Sequence, residues 1–316
     1  MKMDWKEKIR EVLLVGAGYM GMEYAKVLSA LDVSYTAVTR GKEKAEIFEK
    51  ETGHSVIAGG IENFLLNNKE EYNIAIVALP VDLQKNCVMQ LIRNGVKKIL
   101  LEKPGAFYVH EMHEMNQAAE ENGAVIKIAY NRRFYNSVLE AERIIEEDGG
   151  ISSVFFEFTE LNCKRKEDVV KHFIGNSTHV VDLAFYLAGV PKTLYGISRM
   201  DEKNLVFTGI GITEKNIICS YIANYLAPGR WGVEVMTPRH RLIFRPMEKL
   251  HIQELNSFHI KEWESADQDD ILFKPGIYKE VKTFLYDTEN KRLLSGKEQE
   301  AYMSVYDKII YGTERV

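Results

Sequence analysis

Cysteine is scarce in this chain of 316 residues: Cys87, Cys163 and Cys219 are all there are, far apart and never in a C-x-x-C spacing. So sparse and odd a set argues against a disulfide framework and fits a reducing compartment. Long apolar runs are missing too. No stretch approaches the ~20 residues that a membrane span requires. The first ten residues, Met1 to Arg10, are too charged to hold the apolar centre of a secretory signal. Positive charge is not in excess, with 41 Lys and Arg against 46 Asp and Glu and a formal net charge of -5. Such a chain is not drawn overall to nucleic acid or to an anionic membrane, so neither is an expected partner. Internal repeats and low-complexity tracts are absent. The expectation is a cytoplasmic protein that works on a small molecule.

What the chain does have is enough apolar material for two cores: 46% hydrophobic residues in a length about twice that of a typical domain. The first half alternates. Strand-like Glu11–Val15, Ser34–Thr39, Ser55–Ala58, Asn73–Ala78, Lys97–Leu101 and Ala124–Ala129 take turns with helix-like Met20–Ala30, Lys42–Glu51, Ile61–Leu66, Asp82–Asn94 and Phe107–Glu121. That alternation predicts a parallel sheet with helices on both faces. After a helix around Val138–Glu147, stopped by Gly149-Gly150, strands follow one another: Ile151–Thr159, Thr193–Met200, Leu205–Ile212, Asn216–Tyr225, Gly232–Met236 and Arg241–Arg245. Runs of strands predict a mainly antiparallel sheet in a separate α+β domain. Two helices are expected there, Ser177–Ala188 capped by Asn176/Ser177 and Gly189, and Lys297–Ile310 at the end. The expected division is residues 1–132 and 133–316, and the acidic stretch Glu262–Asp270 reads as a solvated loop.

Gly16-Ala17-Gly18-Tyr19-Met20-Gly21 is a G-x-G-x-x-G that follows a strand and opens a helix, the context in which this fingerprint binds a dinucleotide. Gly16 permits the tight turn, Gly18 lets backbone approach a pyrophosphate, and Gly21 allows helix to pack on strand. The helix N-terminus adds amide donors and positive dipole for the anion. The second strand again lacks something. Where an NAD site usually ends in Asp or Glu for the ribose 2′-hydroxyl, this chain reads Ala37-Val38-Thr39-Arg40-Gly41-Lys42, with no carboxylate before Glu43. Thr39 and Arg40 suit a 2′-phosphate, so NADP(H) is expected to be favoured over NAD(H).

Further motifs sit at later strand ends: Ala78-Leu79-Pro80 after the fourth, Glu102-Lys103-Pro104 after the fifth and Asn131-Arg132-Arg133-Phe134 after the sixth. His179-x-x-Asp182 follows, leading into Leu183–Gly189. With the glycine-rich turn, these resemble the Gfo/Idh/MocA oxidoreductases over essentially the whole chain, in the branch resembling surface-polysaccharide sugar oxidoreductases. The resemblance implies a Rossmann domain, an open-faced and mainly antiparallel sheet used for homodimer or homotetramer formation, and hydride transfer at a sugar or nucleotide-sugar carbon. It implies cofactor contacts from Gly16, Gly18, Tyr19, Met20, Gly21, Thr39, Arg40, Ala78, Leu79, Pro80, Glu102 and Lys103. It also implies substrate contacts from Lys103, Asn131, Arg133, Asn176, His179 and Arg230.

Chemistry at these residues is plausible from their positions. Lys103 lies just past the carboxyl end of a parallel strand, the edge where open α/β sheets bind ligands, and a desolvated lysine there can polarise a substrate hydroxyl. Helical spacing sets Asp182 one turn beyond His179, close enough to orient its imidazole as acid/base. Two departures from the family pattern stand out: Gly175 where family members commonly carry an Asp four residues before the histidine, and Gln84 where many have a His. These keep open a reductase of a non-sugar substrate, an imine or a tetrapyrrole, and beyond it a non-catalytic cofactor-sensing regulator. Retention of Lys103, His179 and Asp182 speaks against the last. His110-Glu111-Met112-His113-Glu114 fails the H-E-x-x-H spacing, so no metal is expected, and Met112 and Met115 should face inward. The basic run from Arg230 through Arg239, Arg241 and Arg245 reads equally as a phosphate-binding strip and as ordinary strand and turn charge.

Overall fold

The computed structural model describes residues 11–68, 70–161, 163–264 and 267–315. The charged N-terminal stretch Met1 to Arg10 lies outside these residues, as do Ser265 and Ala266 in the middle of the acidic stretch. The chain forms two compact units: one runs through Asn131 and adds Asp269–Glu300, the other is Arg132–Gln268 with the segment from Ala301 onward. A single boundary near residue 132 therefore misses that 269–300 returns to the first unit.

In the first unit the elements are β1 (Val12–Val15), α1 (Tyr19–Ala30), β2 (Tyr35–Thr39), α2 (Lys42–Thr52), β3 (Val56–Ala58) and α3 (Gly60–Asn67). They continue as β4 (Ile74–Val77), α4 (Val81–Arg93), β5 (Lys98–Glu102), α5 (Val109–Glu121) and β6 (Val125–Ala129). The strands stack in the order β6-β5-β4-β1-β2-β3, all parallel, which is the doubly wound Rossmann arrangement. The returning segment adds Leu294–Ser295 antiparallel to β6 and packs its helix Ile277–Tyr286 on α1. Every residue of β1 and β4 is buried, which is why both read as unbroken apolar runs without alternation. Strand order reverses between β1 and β4, so the loops beginning at Gly16 and Ala78 open side by side, at the switch point where such sheets bind ligands.

The second unit begins with α6 (Asn136–Glu147), β7 (Ser153–Phe158), α7 (Val169–His172) and α8 (Thr178–Ala188). Then come β8 (Pro191–Asp201), β9 (Asn204–Thr213), β10 (Ile218–Asn224), β11 (Trp231–Met236), β12 (His240–Phe244), β13 (His251–Glu254) and β14 (Ile260–Glu262). They form one sheet in the order β14-β13-β12-β11-β7-β10-β9-β8, with Glu314–Arg315 added parallel to β8, and are antiparallel to one another except where β10 meets β7. Alternation decides its faces. Phe156, Phe158, Phe207 and Tyr221 turn inward as an aromatic layer, and α8 packs on β7 and β11. Burying each such ring stabilises the fold by about 1.5–3 kcal/mol. The other face of β8, β9 and β10 exposes Tyr195, Ile197, Ile210, Ile212, Ile218 and Ile222.

Three local readings need correction. The acidic stretch is not one loop: β14 ends within it at Glu262 and a helix starts at Gln268. Helix Ile277–Tyr286, strongly amphipathic, was not anticipated. Asn176 and Ser177 do not cap α8, because α7 runs into it through a π-helical turn, Phe173–Ser177, whose backbone serves the first amides of α8. The Ser177 hydroxyl is thereby free to bond the Phe158 carbonyl and Glu160. Gly189 ends α8 with φ +87°, as the sequence suggests.

Candidate active site

The glycine-rich turn is built by collision and by space. Gly16 has φ +114°, and a Cβ there would stand 2.3 Å from the Ala78 carbonyl oxygen. A Cβ at Gly21 would stand 2.0 Å from the Gly16 carbonyl oxygen. Both glycines are therefore demanded by the protein itself. Gly18 is different: a Cβ there meets nothing within 4 Å. It is the N-cap of α1, and no side chain among the described residues caps that helix end, so its first amides can meet an anion. Tyr19 is largely exposed on this end.

Beside the turn lies a cavity of about 280 Å³, lined by Val15, Thr39, Arg40, Leu79, Asn86 and Gln90 together with the β3–α3 loop and the start of α3. The structure thus brings Thr39, Arg40 and Leu79 to one hollow. Sequence reasoning missed its far wall, Gly59 and Gly60. Both have positive φ, and the Gly59 amide bonds the Arg40 carbonyl at 3.3 Å. It also missed Glu62, an exposed acid lining the same hollow. Across the switch point, Gln84 is fully buried, and its Nε2 donates to the Leu79 carbonyl at 2.9 Å, which fixes the Ala78-Leu79-Pro80 loop. Gln84 Oε1 has no hydrogen-bond partner among the described residues.

At the end of β5, Glu102 is buried and accepts a 2.6 Å hydrogen bond from the Tyr24 hydroxyl of α1. Burial pushes its carboxyl above the usual range, and the Tyr24 hydroxyl, Lys103 and Lys274 only partly oppose that. The same burial, with Glu102 and Glu280 nearby, raises the Tyr24 phenol well above its ordinary value. Lys103 follows half-buried. Lys274 belongs to the returning segment and no motif announced it. Its Nζ sits 5.0 Å from the centre of the Tyr19 ring and 3.4 Å from Met20 Sδ, at the glycine-rich turn. Asn131 is buried and gives its Nδ2 to the Pro275 carbonyl at 2.9 Å, so this residue, expected at the substrate, positions the segment that carries Lys274.

In the second unit His179 lies near the start of α8, nearly buried, its ring 6.0 Å from that of Trp231. Two guanidinium carbons also face the Trp231 ring, Arg132 at 5.2 Å and Arg230 at 5.0 Å. The Trp231 indole N–H donates to Glu160 Oε1 at 3.1 Å, and Glu160 also accepts from the Ser177 hydroxyl at 2.8 Å. Asn176 is exposed on the π-helical turn. Asp182, expected to orient His179, is claimed by an arginine that the sequence reading did not pair with it. Both its carboxylate oxygens accept from Arg133, at 3.0 and 3.1 Å to Nε and 2.6 Å to one terminal nitrogen. Arg133 also meets the Tyr302 hydroxyl at 3.1 Å and lies over the Tyr186 ring. The reason is charge: a buried guanidinium claims a carboxylate through a planar, two-point fit that an imidazole one helical turn away cannot match. Arg133, expected at the substrate, is enclosed by this pair.

The basic strip resolves the same way. Arg239 pairs with Asp148, Arg241 with Glu234 and Arg245 with Glu157, leaving Arg230. On α5, Met112 and Met115 are fully buried, as their spacing predicts. No helix among the described residues is long and apolar enough to cross a membrane.

Comparison with known proteins agrees with this geometry. Residues 10–130 match the model of the oxidoreductase family with an NAD-binding Rossmann fold, GFO_IDH_MocA. An uncharacterized oxidoreductase of Streptococcus pneumoniae is 25% identical over 239 residues, 69% of this chain and 63% of the relative. The 2,7-anhydro-N-acetylneuraminate hydratase of Escherichia coli is 25% identical over 284 residues, 81% of this chain and 74% of the relative. Among solved structures, the UDP-N-acetylglucosamine 3-dehydrogenase GnnA from Acidithiobacillus ferrooxidans shares the fold with TM-score 0.75 at 15% identity, over 95% of this chain and 96% of that one. The Rossmann unit therefore matches the Gfo/Idh/MocA oxidoreductases, the family that the motifs of this chain resemble.

Proposed function

We propose that the protein is an oxidoreductase that moves a hydride between NADP(H) and a carbinol carbon of a sugar or nucleotide sugar. The observation that carries the cofactor half is the turn at Gly18, open to a ligand while Gly16 and Gly21 are locked by contact, beside a hollow that holds Arg40. The nicotinamide, when bound, takes up or supplies the hydride. Gly18, Tyr19 and Met20 with the N-terminus of α1 would hold the pyrophosphate, with Lys274 adding charge; Thr39 and Arg40 would hold the 2′-phosphate. Ala78, Leu79, Pro80 and Glu102 would flank the cofactor along the sheet edge. The sugar half is supported by a structural relative that is a nucleotide-sugar dehydrogenase. For the proton, His179 is the proposed acid/base and Lys103 the group that polarises the substrate oxygen. A positioned acid/base contributes about 10²–10⁴-fold, so His179→Ala should lose turnover on that scale and still bind NADPH.

A charge-assisted hydrogen bond contributes roughly 1.5–3 kcal/mol, so Arg40→Ala should weaken NADPH by about 10–100-fold in a fluorescence titration. NADH should be little affected. Glu62 supports a second reading, because a carboxylate in the same hollow can accept from a ribose hydroxyl. If Glu62→Ala weakens NADH and Arg40→Ala leaves NADPH unchanged, the cofactor is NAD(H). A homodimer or homotetramer through the open face of β8 to β10, in the cytoplasm, completes the proposal.

A further inference from the structure

We propose that the substrate carries an oxyanion, a carboxylate or a phosphate ester, and that Arg132 and Arg230 bind it beside Trp231. The inference takes the bound molecule to be the substrate and so rests on the oxidoreductase reading. Its own foundation lies within the second unit. Arg133, Arg239, Arg241 and Arg245, which neighbour these two in sequence, each meet a carboxylate: Asp182, Asp148, Glu234 and Glu157. Neither the Arg132 nor the Arg230 guanidinium meets one among the described residues. Both instead face one indole ring, at 5.2 and 5.0 Å.

Two unneutralised guanidiniums against the same side chain repel each other, and a ring face offsets that only modestly. Arg132 Nε is moreover buried without a hydrogen-bond partner among the described residues, a donor left for something else to meet. The acid bonded to this ring, Glu160, is turned to the indole N–H and the Ser177 hydroxyl, which holds Trp231 in place. An oxyanion satisfies all of this at once. It neutralises both cations and takes the donor geometry that guanidinium groups present to carboxylate and phosphate. His179, 6.0 Å from the Trp231 ring, lies beside the anchor. Arg132 and Arg230 would therefore decide which sugar is bound, through its charge.

Calorimetric titration of the NADPH-loaded full chain tests this. The probes are a panel of sugar acids including D-glucuronate, a panel of sugar phosphates including D-glucose 6-phosphate, inorganic phosphate, and neutral D-glucose. At least one anionic sugar should bind ten times more tightly than glucose, and more weakly as salt rises. Arg230→Ala and Arg132→Ala should each weaken it by about tenfold or more, with Arg230→Lys recovering part. Arg230 is exposed, so its replacement leaves the fold intact, which a melting curve checks. Sugar acids binding alone would identify a carboxylate, and sugar phosphates and inorganic phosphate binding would identify a phosphate. If no anionic sugar outbinds glucose, or if both arginine variants bind as wild type does, the anion site is wrong while NADPH binding still upholds the oxidoreductase reading. If arginine-dependent binding occurs in a chain that does not bind NADPH, the anion site stands and that reading falls.

Discussion

Replacing Asp182 should unfold the second unit more readily than replacing any residue on its surface. The Arg133–Asp182 pair has side chains 3% and 0% exposed, so neither charge has water to fall back on. Burial works against the guanidinium charge, but the Asp182 carboxylate together with the Tyr302 and Tyr186 side chains more than offsets it and raises its pKa. A guanidinium is so basic that Arg133 keeps its proton even when the carboxylate is removed. A buried charge left without its partner costs about 3–5 kcal/mol. At roughly 2–4 °C per kcal/mol for a unit of this size, Asp182→Ala should lower the melting temperature by about 10 °C. Asp182→Asn should do nearly as much, since the amide preserves shape but not charge. The control is the double variant Arg133→Met/Asp182→Leu. Removing both charges together is often neutral or stabilising, so it should recover most of the loss. Differential scanning calorimetry on wild type, Arg133→Met, Asp182→Leu and the double variant closes the thermodynamic cycle, with Asp182→Asn measured alongside, and a coupling below about 1 kcal/mol would refute the argument. The same proteins separate two roles for Asp182. If Asp182→Asn melts with wild type yet loses turnover, its work lies with the imidazole and not with Arg133.

Gly16→Ala and Gly18→Ala should part company. The first drives a Cβ to 2.3 Å from a carbonyl oxygen at φ +114° and should cost more than about 2 kcal/mol in urea unfolding. The second should fold normally and lose NADPH affinity at least about tenfold, since only a ligand fills that space; wild-type affinity would remove the pyrophosphate from Gly18. Asp148 gives a pH dependence. Burial alone would raise its pKa, but hydrogen bonds from Thr237, His240 and Arg239 outweigh that and hold it below the ordinary 3.8. A depressed carboxylate stabilises the fold above its unfolded value and loses that contribution as pH falls through the folded one. The melting gap between wild type and Asp148→Asn should be constant from about pH 8 to 5 and close below about pH 4; a gap unchanged at pH 3 would contradict this. Finally, Ile210→Glu with Ile218→Glu on the open sheet face should convert a homo-oligomer to monomers by light scattering. A monomeric wild type would end that expectation.

What the sequence revealed is what local sterics and periodicity control. The six parallel strands, the glycine turn and the change to antiparallel pairing follow from runs of four to ten residues, and the structure places them within one or two residues. Hidden were the features made by distant returns of the chain. Nothing near residue 274 signals that Asn131 will hold Pro275, or that Lys274 will come to rest on Tyr19. Nothing near Gly59 and Gly60 signals that their positive-φ turn will meet Arg40, a residue some twenty positions earlier. Asp182 shows the same limit: helical spacing offered it His179 and gave no sign of Arg133, which it meets in space 49 positions away.

Charge accounting is therefore a sharper guide to this site than motif membership. Asn131-Arg132-Arg133-Phe134 presents two adjacent arginines that no spacing rule distinguishes. Folding separates them completely: Arg133 is sealed against Asp182, Tyr186 and Tyr302, and Arg132 is left at Trp231 with an unmet donor. The same separation runs along the later strands, where Arg239, Arg241 and Arg245 are neutralised within the fold and Arg230 is not. A cation already paired with a carboxylate has little left to offer a ligand, because binding one would first have to strand the acid. One that the protein leaves unpaired beside a nearly buried histidine can meet an anion at no such cost. By that criterion Arg132 and Arg230, which meet no carboxylate among the described residues, are the arginines at Trp231 that can meet something from outside, with His179 beside the same ring.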